Sequence, residues 1–527
     1  MKFNTILLFF LLCSFSAFSQ LKQLTRYELD RKSGDDFFTV ISAGNEGLIV
    51  IQETDEYEKG QGNTWKAILL DTLMQERFRY DLAIESTYIF RGYDFNNGIF
   101  YMLFRHDEGL KSDFHLITLH VATGDLKRYD IKNEIELELS HMIVVGERVV
   151  LAGYVRYSPT LVSLTMGEDN LSVIPGYFKD RSDVIDLRAN HNSTFNVLTR
   201  EKNYDGYYLR MRTYSPEGRI LFEKEIEVPF DYRVVDAKTT DFVSGNIAVV
   251  GTFSRGSTSS SQGIFFTIVQ PEGKREKMIY FGYGDLEHFF DYMGEKRSAR
   301  VRRRVERKKQ RGKDFNYSSK LLLHQVREEQ DAYIIAAEIY DPEFERYQDP
   351  SMFSPYYDPR GFNRYNSFSQ QRYVRRPYGY QGPHEPNHFK YLETIIVKLN
   401  DEGHLLWDNS FAIEEVESNS LEAVTDYNVK GNDISMIYKS DEKLAYKIAE
   451  GSESIVEDAD EMALLYENDE LDHEYEGVGG VSHWYNDTFF VWGYQKVQNK
   501  KNEAVDNRRS VIYINKVEID KTLQNEQ

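Results

Sequence analysis

Residues 394–411 read TIIVKLNDEGHLLWDNSF. An apolar, largely β-branched run (Ile395, Ile396, Val397, Leu399) meets the polar corner Asn400-Asp401-Glu402-Gly403. It then returns as a more polar run, Leu405 to Phe411. β-branched residues suit strands, and Asn, Asp and Gly supply the positive φ that tight turns need, so the stretch predicts a hairpin. The same figure recurs in YLRMRTYSPEGRILFEKEI around Gly218, FFTIVQPEGKREKMIYF around Gly273 and FHLITLHVATGDLKRYDI around Gly124. Weaker versions lie near Asp169 and Gly451.

Between these corners lies a second kind of turn, a tight polar step feeding an apolar strand, present eight times. The copies are Asn45-Glu46-Gly47 before LIVI, Asn97-Gly98 before IFYMLF, Gly146-Glu147-Arg148 before VVLAGY and Asn192-Ser193-Thr194 before FNVL. Gly245-Asn246 precedes IAVVGTF, Gln330-Asp331 precedes AYIIAA, Asn432-Asp433 precedes ISMIY and Asn486-Asp487 precedes TFFVWGY. From Gly47 the steps to Gly98, Arg148, Thr194 and Asn246 are 51, 50, 46 and 52 residues, and Asp433 to Asp487 is 54. Two hairpins per unit of that length make a four-stranded blade, and radial repetition of such blades is a β-propeller. The fold class is therefore all-β, a propeller of about eight blades, with seven as the alternative count. The last unit runs out after a third strand, Ser510 to Ile519, while Leu21 to Leu29 (LKQLTRYEL) offers a spare strand before unit one begins near Phe37. Pairing the two would close the ring.

Only the steps flanking Asp331 are longer, at 85 and 102 residues, and each holds an insertion. In four-stranded blades the b–c loops and the d–a crossings emerge on one face. One insertion, residues 284–317, occupies the crossing between units five and six. The other, residues 341–390, is the b–c loop of unit six. Both are expected on the same side, and long loops on a rigid scaffold are where binding is expected.

The first insertion contains GEKRSARVRRRVERKKQRGK, and from Lys296 to Lys313 eleven of eighteen residues are Lys or Arg. It reads as a helix ending at Gly312. Lys296–Arg300, Arg300–Arg304, Arg303–Arg307, Arg304–Lys308 and Arg307–Arg311 are like-charge pairs four apart, each costing roughly 0.2–0.5 kcal/mol in a helix. Something acidic must lie against it. The internal candidate is Glu453 to Glu476, with eleven acidic residues and no Lys or Arg. The external candidate is an acidic partner surface or lipid headgroup region. Arg300, Arg302, Arg303, Arg304, Arg307, Lys308 and Lys309 are the candidate partner-binding cations. The second insertion holds seven of the chain's twelve prolines among many Tyr, Phe and Arg. Proline excludes regular sheet there, and Tyr and Arg dominate protein interfaces. Tyr356, Tyr357, Arg364, Tyr365, Tyr373, Arg375, Arg376, Tyr378 and Tyr380 are the candidates in this arm, the alternative being a segment that packs loosely on blade six without a partner.

Lys2, the apolar run Ile6 to Leu12 and the small residues Ala17 and Ser19 read as a signal peptide over residues 1–19, cleaved before Gln20. Residues 20–527 then form a single propeller domain. The apolar run is short of the about 20 residues that span a bilayer. Leu12 stands where lipid attachment at Cys13 expects a small residue. Cys13 is the only cysteine, so the processed chain has no disulfide, thiolate metal site or cysteine nucleophile. The net charge of −21 opposes general binding to nucleic acid or anionic lipid, and no base-reading motif accompanies the arginines. No phosphate-binding glycine loop, HExxH, GxSxG or EF-hand loop is present, and the twelve histidines lack metal-ligand spacing. His384 and His388 flank a proline-rich turn, and Asp472-His473-Glu474 alternates across a strand. No catalytic residue, metal or cofactor is assigned.

IIVKLNDEGHLLWDNSF and its counterparts at Gly218 and Gly273 resemble the repeats of exported bacterial β-propellers. The compartment, shape and one-sided insertions are similar to those of the plug-like periplasmic partner of the type IX secretion translocon. That resemblance implies a non-enzymatic periplasmic subunit that docks on an outer-membrane barrel or associated protein, plugging or gating a secretion translocon. It would be monomeric outside that complex, without nucleic acid and not membrane-spanning. The other classes are a secreted glycan-binding or glycan-cleaving propeller and a surface adhesin.

Overall fold

The computed structural model describes residues 20–521, apart from 33–36, 59–61, 107–110, 177–181, 204–205, 243–244, 257–259, 271–277, 330–331, 344–387, 419, 441–442 and 503. Eight separate antiparallel sheets follow one another along the chain and close into a ring, which settles the blade count at eight. Blade 1 runs from Phe37–Ser42 to Glu76–Ile84, blade 2 from Tyr88–Asn96 to Leu126–Ile131, and blade 3 from Glu138–Val145 to Ser172–Ile174. Blade 4 runs from Asp183–Ala189 to Ile220–Glu227, and blade 5 from Arg233–Thr239 to Ile279–Gly282. Blade 6 runs from Leu321–Leu323 to Leu405–Ala412, and blade 7 from Thr425–Lys430 to Glu453–Glu461. Blade 8 takes Glu470–Tyr485, Thr488–Gln498 and Arg508–Ile519 from the C-terminal end of the chain.

Each apolar strand buries both faces because a blade lies on either side of it. The buried residues accordingly divide into eight clusters, one per joint. Ile49, Ile51 and Trp65 of blade 1 pack with Phe90, Phe100 and Phe104 of blade 2, for example. The others join blades 2–3, 3–4, 4–5, 5–6, 6–7, 7–8 and 8–1.

The turns sit where the polar corners stand in the sequence. Asn97 and Gly98 both have positive φ, 50° and 73°, as a two-residue hairpin turn requires. The glycine of the outer hairpin has a second duty. A Cβ on Gly403 would lie 2.6 Å from Ile279 and 2.7 Å from Phe266 of the preceding blade. The corner thus presses bare backbone onto its neighbour.

The spare strand closes the ring as expected. Leu21–Asp30 pairs antiparallel with Arg508–Ile519, from Leu21 opposite Ile519 to Asp30 opposite Val511. Its Arg26 is buried. The guanidinium pairs with Glu28 at 2.8 Å, donates to Gln495 at 2.7 Å and to Asn515 at 3.4 Å, and lies 4.6 Å above the Tyr513 ring. Gln495 and Tyr513 in turn donate to Glu474, each at 2.7 Å.

Buried carboxylates tie successive blades together. Asp94 of blade 2 accepts the Val144 N–H of blade 3 at 2.6 Å, and Asp186 of blade 4 accepts the Thr239 N–H of blade 5 at 2.8 Å. Asp426 of blade 7 accepts the His483 N–H of blade 8 at 2.8 Å, and Glu338 of blade 6 accepts the Thr425 N–H of blade 7 at 2.8 Å.

Blade 6 departs from four simple strands. Its inner strand is in two pieces, Leu321–Leu323 and Arg327–Glu329, and Glu417–Ser418 adds a short pairing to the lower end of its third strand. At the interruption Val326 turns into the core, and Arg188 of blade 4 reaches across to the side chain of Gln325 at 3.4 Å.

Replacing Arg26 by Ala leaves two buried amides without this donor and Glu28 with only Arg509 at 3.5 Å, so unfolding by denaturant should show a loss of about 3 kcal/mol. Burial pushes the Asp94 carboxyl up to about 6, partly offset by the N–H groups of Val144 and Phe95. A raised carboxyl pKa means the folded state binds the proton more tightly than the unfolded chain. Its contribution is therefore present below about pH 4 and lost as pH rises through about 6. Relative to Asp94→Asn, the wild type should lose about 3 kcal/mol between those limits, read from unfolding at a series of pH values.

Candidate functional site

The first insertion folds as a cap on the joint between blades 5 and 6. Tyr283 stacks on Phe289 at 3.9 Å between ring centres, and Phe290 meets Tyr317 edge-on at 5.2 Å and Phe315 at 6.1 Å. These rings continue the core formed by Val250 and Phe266 of blade 5 with Ile335 and Val397 of blade 6. Two blade 6 carboxylates hold the backbone above. Asp408 accepts the N–H groups of Glu287 and His288 at 2.9 and 2.7 Å, and Glu393 accepts that of Tyr292 at 3.1 Å. Burial raises both carboxyls above their ordinary range, Glu393 well above it.

On this bed lies the helix α1, Glu295–Lys309, whose last tight turns end at Gly312 with φ of 62°. Ser298 and Val305 are its buried residues. Gly284 lies directly under it, where an added Cβ would sit 3.0 Å from Val305 and 3.2 Å from Phe315.

The basic side chains divide into two sets. Arg302 turns inward, pairing with Asp291 at 2.6 Å and donating to the Ser298 hydroxyl at 3.2 Å. Lys309 pairs with Asp285 at 2.8 Å, and Lys308 donates to the Asp314 carbonyl at 3.3 Å. Arg300, Arg303, Arg304 and Arg307 are exposed, and among the described residues none of them forms an ion pair. At 100° per residue, Lys296, Arg300, Arg303 and Arg307 fall on one stripe facing away from Val305, with Arg311 continuing it past the end of α1. The stripe is a row of cationic groups, without ion pairs among the described residues, on an anchored rod.

The counter-charge expected for α1 is thus mainly its own insertion. The internal candidate, Glu453 to Glu476, makes no ion pair with α1 among the described residues. Instead Glu457 pairs with Lys447 at 3.5 Å, Asp469 with Arg509 at 2.7 Å and Glu474 with Lys439 at 2.5 Å. Asp285 and Asp291 escaped notice in the sequence because they stand outside the helical run. Of the groups that meet there, only Ser298 and Arg302, four apart on one face of α1, could be paired by spacing.

His288 bridges to the other oxygen of Asp291 at 2.8 Å. Burial works against the Asp291 carboxylate, but His288 and Arg302 more than offset it and hold it below the ordinary carboxylate range. The same contact with Asp291 raises His288 above its ordinary value.

The two insertions spring from adjacent points of one face. Ser319, at the end of the first, exchanges backbone hydrogen bonds of 2.8 and 2.9 Å with Ser261 of the blade 5 b–c loop. Tyr340, at the root of the second, donates its N–H to the Lys320 carbonyl at 3.2 Å. Tyr356, Tyr357, Arg364, Tyr365, Tyr373, Arg375, Arg376, Tyr378 and Tyr380 lie outside the described residues, as does His384. His388 pairs with Glu417 at 2.7 Å. Among the described residues no group of three or more His, Cys, Asp or Glu is placed to hold a metal ion, and no helix is long and apolar enough to cross a membrane.

No family model matches the chain, and no curated protein does. Solved structures do. The polysaccharide lyase Uly1 aligns with 95% of this chain and 100% of its own, at 9% identity and a TM-score of 0.40. The β-propeller domain of the trilobed protease from Pyrococcus furiosus aligns with 80% of this chain and 96% of its own, at 6% identity and 0.33. Prolyl oligopeptidase B from Galerina marginata aligns with 88% of this chain and 55% of its own, at 8% identity and 0.40. The chain is an eight-bladed β-propeller. At these identities and scores no activity passes from those proteins to this one.

Asp291→Ala removes the inward anchor of Arg302 and should raise opening of α1 about fivefold, the scale of a partly exposed ion pair. Limited trypsin digestion should then cut faster between Lys296 and Lys313 while the thermal midpoint of the blades stays within a degree or so.

Proposed function

We propose that this propeller is a binding scaffold rather than an enzyme, and that it docks through the outward stripe of α1 on an acidic surface of a protein partner. The observation that carries the reading is the division of the helix. One face is fixed by Val305, Asp285 and Asp291, and the other holds Lys296, Arg300, Arg303 and Arg307 in a row without counter-ions among the described residues. Like charges at helical spacing repel one another, and an acidic surface relieves that repulsion. Exposed pairs of this kind add little affinity singly, but a row of them steers encounter and sets orientation. A helix already anchored also costs little ordering on binding.

The finer reading places the scaffold in the periplasm, on an outer-membrane barrel or its associated subunit, where it plugs or gates a secretion translocon. The signal-peptide pattern and the repeat resemblance support it. The second insertion, rooted beside α1, is the companion arm.

The test is affinity recovery of the tagged protein from detergent-solubilised envelopes, with R300E/R303E/R307E as the variant. The wild type should bring down a stoichiometric outer-membrane barrel protein. The variant should fold with an unchanged thermal midpoint and recover at least about tenfold less. Equal recovery by both proteins would reduce α1 to a structural cap. Recovery of the protein alone, with stabilisation by a sugar, would favour the glycan-binding class.

A further inference from the structure

A second, partly exposed cluster lies on the face that carries α1, one blade back. It is assembled from Lys202, which ends the second strand of blade 4, and Tyr207, which begins the third. Phe230, in the crossing to blade 5, and Arg233, the first residue of blade 5's inner strand, complete it. Phe230 is 75% exposed, more than any other large apolar side chain among the described residues. A lone exposed aromatic is ordinary, but this one is fixed and flanked. The Arg233 guanidinium donates to the carbonyls of Phe230 and Tyr232, both at 2.9 Å, which pins the backbone beneath the ring. The Tyr207 ring has two cations over it, Lys202 at 5.4 Å and Arg233 at 5.0 Å from its centre. Neither cation has an ion pair among the described residues, and Asp231 stands exposed beside them.

The cluster is joined to α1 by contacts that can be followed residue by residue. Tyr232 stacks on Tyr280 at 4.6 Å and accepts a hydrogen bond from Arg255 at 2.8 Å. Arg255 pairs with Asp314 at 2.6 Å, and Lys308 of α1 donates to the Asp314 carbonyl at 3.3 Å. Rigid aromatic rings interleaved with Arg and Lys are the composition of interface hot spots, where a ring supplies contact area and the cations select the charge of what lies beside it.

We propose that this cluster and α1 form one docking surface, and that its occupant is an acidic segment of a protein partner bearing an aromatic side chain. The aromatic group seats against Phe230 and Tyr207, and the flanking carboxylates meet Lys202, Arg233 and the α1 stripe. The inference rests on the docking role of α1 and adds to it the requirement for an apolar anchor.

The experiment measures fluorescence anisotropy of the purified full chain with two labelled peptides of equal charge, an oligo-glutamate and the same peptide with two phenylalanines inserted. The phenylalanine peptide should bind about tenfold tighter. Phe230→Ala should erase that preference while leaving oligo-glutamate binding and the thermal midpoint unchanged. R300E/R303E/R307E should weaken both peptides. Equal binding of the two peptides, or a preference that survives Phe230→Ala, overturns the aromatic anchor and leaves the α1 reading standing. Failure of both peptides to bind the unaltered protein overturns the two together.

Discussion

The pairing of Leu21–Asp30 with Arg508–Ile519 is the constraint on which the other seven joints rest. Every blade is apolar on both faces, so no blade is covered until it has two neighbours. In an open array the first and last blades would each expose a full face. Blade 8 would also end on a strand edge of unpaired N–H and C=O groups, the ordinary template for aggregation. The closing strand removes both liabilities at once. It fills the edge and adds Leu29 to the core shared with Leu48 and Val50 of blade 1. The polar network around Arg26 makes the register specific, because a slip of one residue would turn the guanidinium away from Gln495 and Asn515.

Most of this architecture is legible in the sequence because the signals are local. A hairpin corner such as Asn97-Gly98 or Asn400 to Gly403 is written in four or fewer adjacent residues, and repetition at about fifty residues converts the corner into a blade. The closing strand was legible too, since an incomplete last unit and a spare first strand answer one another. What was not legible pairs residues far apart. Asp94, Asp186 and Asp426 read as ordinary strand or turn residues until the next inner strand arrives fifty or more positions later with an N–H for each. The break in blade 6's inner strand falls in the same class, since it brings Gln325 within reach of Arg188 from two blades away.

The candidate site divides the same way. The charge run that makes α1 could be read directly, and its self-repulsion demanded a counterweight. Which carboxylates supply it depends on the fold, and proximity within the insertion prevailed over the richer acidic stretch beyond it. Asp285 and Asp291 need only meet two cations, because the others face water, where repulsion is weak and screened. The aromatic bed of Phe289, Phe290, Phe315 and Tyr317 does the larger part of the anchoring. The cluster at Phe230 could not be seen in the sequence at all. Its four members come from two blades and a crossing, and VPFDYR reads as a bounded polar link.

The seam between the two ends of the chain also sets an order of events. Arg26 and Asn515 are 489 positions apart, so the closing strand meets its partner only after all the intervening blades have been made. The intervening blades need only nearest neighbours and can assemble as they emerge, while the leading strand waits. Loop closure over that length adds only modestly to the entropic cost, because the term grows logarithmically, but it postpones the final joint until blade 8 has been made. A chain cut between Glu461 and Arg508 therefore carries seven finished blades with the rim of the wheel still open.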